Sequence, residues 1–167
     1  LIYVMCVFSN GEELKNSRIF RRENIAYLFL FLVVYIQLVL GAYVRHSNAG
    51  LACPDVPKCL GYWIPPFLSG TVLFHLSHRF LGVFIFLFSI FLFVFSRYKN
   101  MTATIQKNIK NLLFLISFQV LLGIFVVISR LAFTMTAIHL LIALVIIMVI
   151  LNIIFEKKES FNLWNIY

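Results

Sequence analysis

Most side chains able to do chemistry gather in two short stretches of an otherwise greasy chain. HLSHRFLG (75–82) holds two histidines and an arginine within five positions, and HLLIA (139–143) holds another histidine. Neutral imidazole is a common metal ligand and a proton carrier near neutral pH. Two further pairs stand out: Gln37 with Gln119, and Cys53 with Cys59. What these groups can do depends on where the chain holds them.

The 167 residues are 62% apolar and only 12% charged, with 19 phenylalanines. A mean hydropathy of +0.99 lies outside the range of soluble domains and describes a membrane protein. The net charge of +8 does not indicate nucleic-acid binding. The basic residues sit just outside the apolar runs and form no stripe interleaved with aromatics. The leading LIYVMCVF is too short to span, no signal-peptide cleavage site follows it, and Met5 offers a second possible start.

A helical span needs about 20 apolar residues, and four runs qualify: Ile25–Val44, Thr71–Phe95, Asn111–Ser129 and Ala132–Phe155. None alternates as a barrel strand would, so the expected fold is an all-α four-helix transmembrane bundle. SRLAFT (129–134) is too short to do more than turn the chain, so the bundle reads as two helix hairpins. The expected division is an N-terminal tail 1–24, a bundle 25–155 with a loop 45–70, and a C-terminal tail 156–167. Lys15, Arg18, Arg21, Arg22, Arg97, Lys99, Lys107, Lys110, Lys157 and Lys158 fall on one side; only Arg45, Lys58 and Arg130 fall on the other. The positive-inside rule then places both termini in the cytoplasm and the 45–70 loop outside.

QLVLGAYV (37–44) and QVLLGIFV (119–126) share the pattern Q-x-x-L-G-x-x-V, and each is followed by a helix with a histidine near its start. The pattern suggests two hairpins related by a pseudo-two-fold axis along the membrane normal, although such apolar strings also recur by chance. Gln37 and Gln119 would face the bundle, either as ties between helices or beside a ligand.

At a rise of about 1.5 Å per residue, His78 lies about 10 Å below the outer boundary and His139 about 8–10 Å. Imidazoles at one depth on two hairpins can approach one metal from opposite sides, as axial ligands of haem iron do. Gly82 and Ala143 each follow a histidine by four residues, on the same helix face; small residues there would leave room for a flat macrocycle. Arg79 could grip a haem propionate or reach out to headgroups. His75 could hydrogen-bond, shuttle a proton or touch a second ligand.

The loop 45–70 is rich in Gly, Pro, Cys and aromatics. On an oxidising face, Cys53 and Cys59 suit a disulfide, whereas Cys6 on the cytoplasmic side should stay reduced. With His46 they make only three candidate zinc ligands, at a spacing that fits no common site. YWIPP (62–66) reads as an interfacial anchor.

GAYVRHSNAGLACPDVPKC, HLSHRFLG, QVLLG and HLLIA, in this order, resemble the heme A synthase family over roughly residues 35–150. The resemblance implies conversion of heme O to heme A, by oxidation of a porphyrin methyl to a formyl group, for cytochrome oxidase biogenesis. Family members are usually eight-helix proteins made of two four-helix bundles, in the bacterial cytoplasmic membrane, with the cysteine loop periplasmic or extracellular. His78 and His139 match a haem-ligating pair, Arg79 and Gly82 the residues after the first ligand, and Cys53 and Cys59 the loop cysteines of the N-terminal bundle. Two departures stand out. Four spans make one bundle, implying a homo-oligomer, a second half-bundle or a fragment. His75 also stands where the family often has a glutamate.

The expected function is a heme A synthase-like oxidoreductase. His78 and His139 would ligate iron, and Gln37, Gln119, Arg79, Gly82 and Ala143 would line the cofactor. His75 would be the candidate acid/base. The expected cofactors are heme b, heme O or heme A with their iron. The expected partners are heme O, heme O synthase, the cytochrome oxidase assembly machinery and the lipid bilayer. The alternative is a non-catalytic bis-histidine b-type protein for electron transfer or haem delivery.

Overall fold

The apolar runs fold as four long helices in the computed structural model, which describes residues 22–159. Residues 1–21 and 160–167, including Cys6, Lys15, Arg18 and Arg21, lie outside them. Helix α1 spans Arg22–His46, α2 Gly70–Tyr98, α3 Ala103–Ile128 and α4 Phe133–Glu159. All four are long and apolar enough to cross a membrane. Each packs on its sequence neighbours and α4 closes on α1, so the ring order is α1–α2–α3–α4. α2 and α4 therefore stand diagonally across the bundle. Among the described residues no strand forms; one isolated bridge joins Cys59 to Tyr62.

The core repeats in register. Tyr27, Leu30 and Val34 on α1 are buried, and Ile109, Leu112 and Ile116 are buried on α3 at the same spacing. Ile85 and Leu92 on α2 are matched by Ile146 and Ile153 on α4. This apolar cluster fills the half of the bundle away from the 45–70 loop. Lipid is as apolar as these side chains, so what holds them is close packing rather than escape from solvent. Ser89 and Ser96, buried nearby, return their hydroxyls to the carbonyls of Ile85 and Phe93 on their own helix, both at 2.7 Å. The outer face is apolar too, and includes a ladder of stacked rings, Phe84, Phe88, Phe91 and Phe95, along α2.

The connections are short and bonded. Between α2 and α3, Asn100 takes a left-handed conformation (φ 47), which asparagine tolerates better than most residues. Gln106 holds this turn, accepting from Arg97 Nη1 at 2.8 Å and donating to the Met101 carbonyl at 2.9 Å. α3 starts at Ala103, well before the expected Asn111, because these polar residues continue the helix beyond the apolar run. Between α3 and α4, Arg130 and Leu131 are both left-handed (φ 53 and 65). That conformation costs about 1–2 kcal/mol per residue. It seats the Leu131 side chain on Gly50, where a Cβ would lie 2.9 Å from Leu131 Cδ1. The second hairpin's turn is thereby packed against the first hairpin's loop.

Candidate functional site

Beyond Val34, Ile85, Ile116 and Ile146 the apolar core stops, and the next layer toward the loop is polar. Gln37 on α1 and His78 on α2 meet there; so do Gln119 on α3 and His139 on α4. Gln37 Nε2 donates to the His78 carbonyl at 2.9 Å and lies 3.5 Å from His78 Nε2. Gln119 Nε2 donates to the His139 carbonyl at 2.9 Å and lies 3.4 Å from His139 Nε2. One turn beyond each glutamine, a glycine makes room for the ring. A Cβ at Gly41 would sit 2.9 Å from His78 Cε1, and one at Gly123 would sit 3.3 Å from His139 Cε1.

Four side-chain atoms in this layer are buried without a hydrogen-bond partner: Gln37 Oε1, His78 Nδ1, Gln119 Oε1 and His139 Nδ1. Buried polar atoms are seldom left unpaired, and each costs about 1–3 kcal/mol. Finding the same two atoms in both halves marks the layer as a place built for something other than packing.

Gly82 stands against the glutamine: its missing Cβ would lie 3.2 Å from Gln37 Nε2. Its counterpart Ala143 is half-buried, and Gln119 still reaches the His139 carbonyl. The small residues thus leave room for an amide, a use the four-residue spacing did not suggest.

His75 and Arg79 serve the loop. His75 is buried, and its Nδ1 lies 2.9 Å from the Ala49 carbonyl, so this nitrogen carries the proton. Its Nε2 accepts from Arg79 Nε at 3.1 Å. Arg79 Nη1 donates to the carbonyls of Asp55 (2.8 Å) and Lys58 (2.9 Å), and Nη2 to that of Cys53. One guanidinium thereby closes the segment 53–58 onto α2. A planar fork with five donors suits such converging carbonyls better than an ammonium would.

The loop is compact around Cys53 and Cys59, which are fully buried with sulphurs 1.98 Å apart. Leu60 and Gly61 both have positive φ (53 and 80). Cys59 and Tyr62 exchange backbone hydrogen bonds of 2.8 and 3.0 Å across them, the pattern of a type I′ turn. Asp55 Oδ2 accepts from the Gly61 amide at 2.8 Å. His46 is exposed, unlike the buried cysteines. Tyr62, Trp63 and Ile64 are exposed while Pro65 is buried, an arrangement compatible with an interfacial anchor.

Sequence reasoning picked out the histidines and glutamines but not Gly41, Gly123 or the Ala49 carbonyl. The signal for the glycines lay in the repeat itself: Q-x-x-x-G puts amide and glycine on one helix face in both halves.

Comparisons with known proteins identify the family. Residues 1–151 match the COX15-CtaA family, described as cytochrome oxidase assembly protein. The chain belongs to this family. The heme A synthase of Alkalihalophilus pseudofirmus is 32% identical over 146 residues, covering 85% of this chain and 48% of the relative. That of Lysinibacillus sphaericus is 28% identical over 171 residues, covering 97% of this chain and 54% of the relative. That of Halalkalibacterium halodurans is 40% identical over 76 residues, covering 45% of this chain and 25% of the relative. The chain spans about half the length, or less, of the curated relatives it matches. Four spanning helices and bacterial relatives make it a multi-pass membrane protein of bacterial type, in a family serving heme A biosynthesis and cytochrome oxidase assembly.

Proposed function

We propose that the chain is the haem-binding bundle of a heme A synthase-like oxidoreductase, in which His78 and His139 would hold one haem through its iron. The observation that carries this reading is the doubled Gln–His cradle on diagonal helices, with its four unpartnered buried atoms. Among the described residues no three His, Cys, Asp or Glu side chains converge. Two imidazoles are too few for a bare metal ion but suit an iron whose other ligands come from a macrocycle. The residues present therefore fit the group.

When bound, the group supplies redox-active iron. The chain's own residues supply the rest. His78 and His139 present neutral nitrogens from opposite sides of the bundle, and Gln37 and Gln119 orient them. The apolar layer of Val34, Ile85, Ile116 and Ile146 excludes water on one side, and the loop held by Arg79 covers the other. The substrate we assign is heme O and the product heme A. Methyl-to-formyl oxidation removes electrons from the porphyrin substituent, so an oxidant from outside the chain is required. His75 is the candidate proton carrier, and Nε2 can serve only when Arg79 releases it. Cys53 and Cys59 we assign as a disulfide on the outer face of the cytoplasmic membrane.

The engagement of both His75 nitrogens favours a second reading, a b-type haem carrier without catalysis. Co-expression with heme O synthase, followed by pigment extraction and chromatography, separates the two. Heme A in the extract supports the enzyme; bound haem without heme A supports the carrier. A featureless reduced-minus-oxidised spectrum of the purified protein sinks both.

A further inference from the structure

The geometry points to Gln37 and Gln119 as positioning residues that set the tautomer and ring orientation of His78 and His139. The inference rests on the haem reading for its purpose, though its first test does not need haem. A primary amide has two N–H bonds. In each half one is spent on the histidine's own backbone carbonyl, at 2.9 Å. The same nitrogen then lies 3.5 or 3.4 Å from the ring Nε2. An amide hydrogen facing a protonated Nε2 would meet another hydrogen; facing a bare Nε2 it meets a lone pair. The amide therefore favours the tautomer with its proton on Nδ1 and its lone pair on Nε2. Nε2 then carries a lone pair and no proton; an iron taking that lone pair would displace the amide hydrogen, breaking only the long contact of 3.4–3.5 Å.

The carbonyl bond is what makes the amide a fixed reference. It ties the glutamine to the backbone of the residue whose ring it orients, so ring and amide cannot drift apart. Gly41 and Gly123, one turn further along the glutamine's own helix, let the rings lie against backbone with no Cβ between. The same construction appears twice, on different helices.

A glutamine that only tied helices together would need neither the approach to Nε2 nor the glycine one turn on. It would also have no reason to leave its own Oε1 buried and unpartnered in both halves.

The test uses the full chain in nanodiscs with 15N-labelled histidine. Before haem is added, nitrogen NMR of the wild type should show His78 and His139 protonated on Nδ1. Gln37→Leu and Gln119→Leu should each turn its own histidine into a tautomer mixture and leave the other unchanged. Iron protoporphyrin IX is then titrated in. Each variant should bind it about twofold more weakly, because in an even tautomer mixture only half of the histidine offers a bare Nε2. Each should also shift the midpoint potential and the low-spin ferric electron paramagnetic resonance signal. Ser89→Ala, which removes a buried hydroxyl elsewhere on α2, should move none of these. If a leucine variant does not fold, Gln→Glu at that position keeps the size, and the same readouts apply.

Unchanged tautomers, potential and resonance with only a lower melting temperature would make the glutamines mere ties and overturn the inference. Equal shifts from Ser89→Ala would overturn it as well. Wild-type protein with the expected tautomers but no haem uptake would defeat the haem reading while upholding the tautomer assignment.

Discussion

The two hairpins carry the same cradle but differ in what lies around it. In the first, the positions three before and one after the histidine are His75 and Arg79; in the second they are Thr136 and Leu140. Thr136 merely returns its hydroxyl to the carbonyl of Ala132, the residue just before its helix, and Leu140 is exposed. The first hairpin has a long loop to close, and the second has a tight turn. The shared parts, glutamine, glycine and histidine, meet a demand both halves face. The unshared parts meet a demand only the loop makes. His75 and Arg79, beside His78 in sequence, thus belong structurally to the loop.

Removing the clasp should have the largest effect on stability. Arg79→Leu, which gives the first hairpin the residue found in the second, leaves three loop carbonyls and His75 Nε2 without their donor. Hydrogen bonds to charged groups are worth about 1.5–3 kcal/mol each, but these are partly exposed, so a total loss of about 3 kcal/mol is expected. Thermal unfolding in detergent and faster proteolysis within 53–58 would report it. An unchanged cleavage pattern would mean the loop is held by other means.

The glycines come next. Gly41→Ala brings a methyl to 2.9 Å from the His78 ring, closer than contacts allow, so the ring must move. Overpacking of this kind costs about 1–3 kcal/mol, and the haem spectrum should change with it. Gly123→Ala brings its methyl only to 3.3 Å, so its effect should fall at or below about 1 kcal/mol on the same scale. Equal effects at the two sites would mean the halves are more alike than the distances indicate.

The smallest effect belongs to Gly82→Ala, which copies the second half into the first. The new methyl would lie 3.2 Å from the Gln37 amide nitrogen, so that side chain would have to give by a few tenths of an ångström. Helix propensity favours alanine by about 1 kcal/mol, which should offset that crowding. Haem affinity and melting temperature should stay near wild type; a large loss would show that the Gln37 amide has no slack to give.

How much of this was legible in the sequence follows from the range of the forces involved. Helices announce themselves through unbroken apolar runs, so all four were readable, along with the hairpin at 129–134. The α3 start was missed because Ala103–Lys110 is polar, and hydropathy reports lipid contact rather than helicity. That His78, His139 and the glutamines turn inward was readable, because polar side chains in apolar surroundings seek polar partners. Arg79 was not: its partners are backbone carbonyls, which have no sequence signature, and a propionate is equally good chemistry for a guanidinium. The job of Gly82 was hidden for a similar reason. A gap beside a helix does not say what fills it, and here the filler is a side chain from α1.

Each glutamine's bond to a helical carbonyl has a mechanical corollary. It pegs α1 to α2 and α3 to α4 at one fixed height, so neither pair can slide lengthwise without shearing the peg. Bilayers of different thickness load helices in that direction. Iron spectra recorded in short-chain and long-chain lipids should therefore coincide, and should diverge once both pegs are cut.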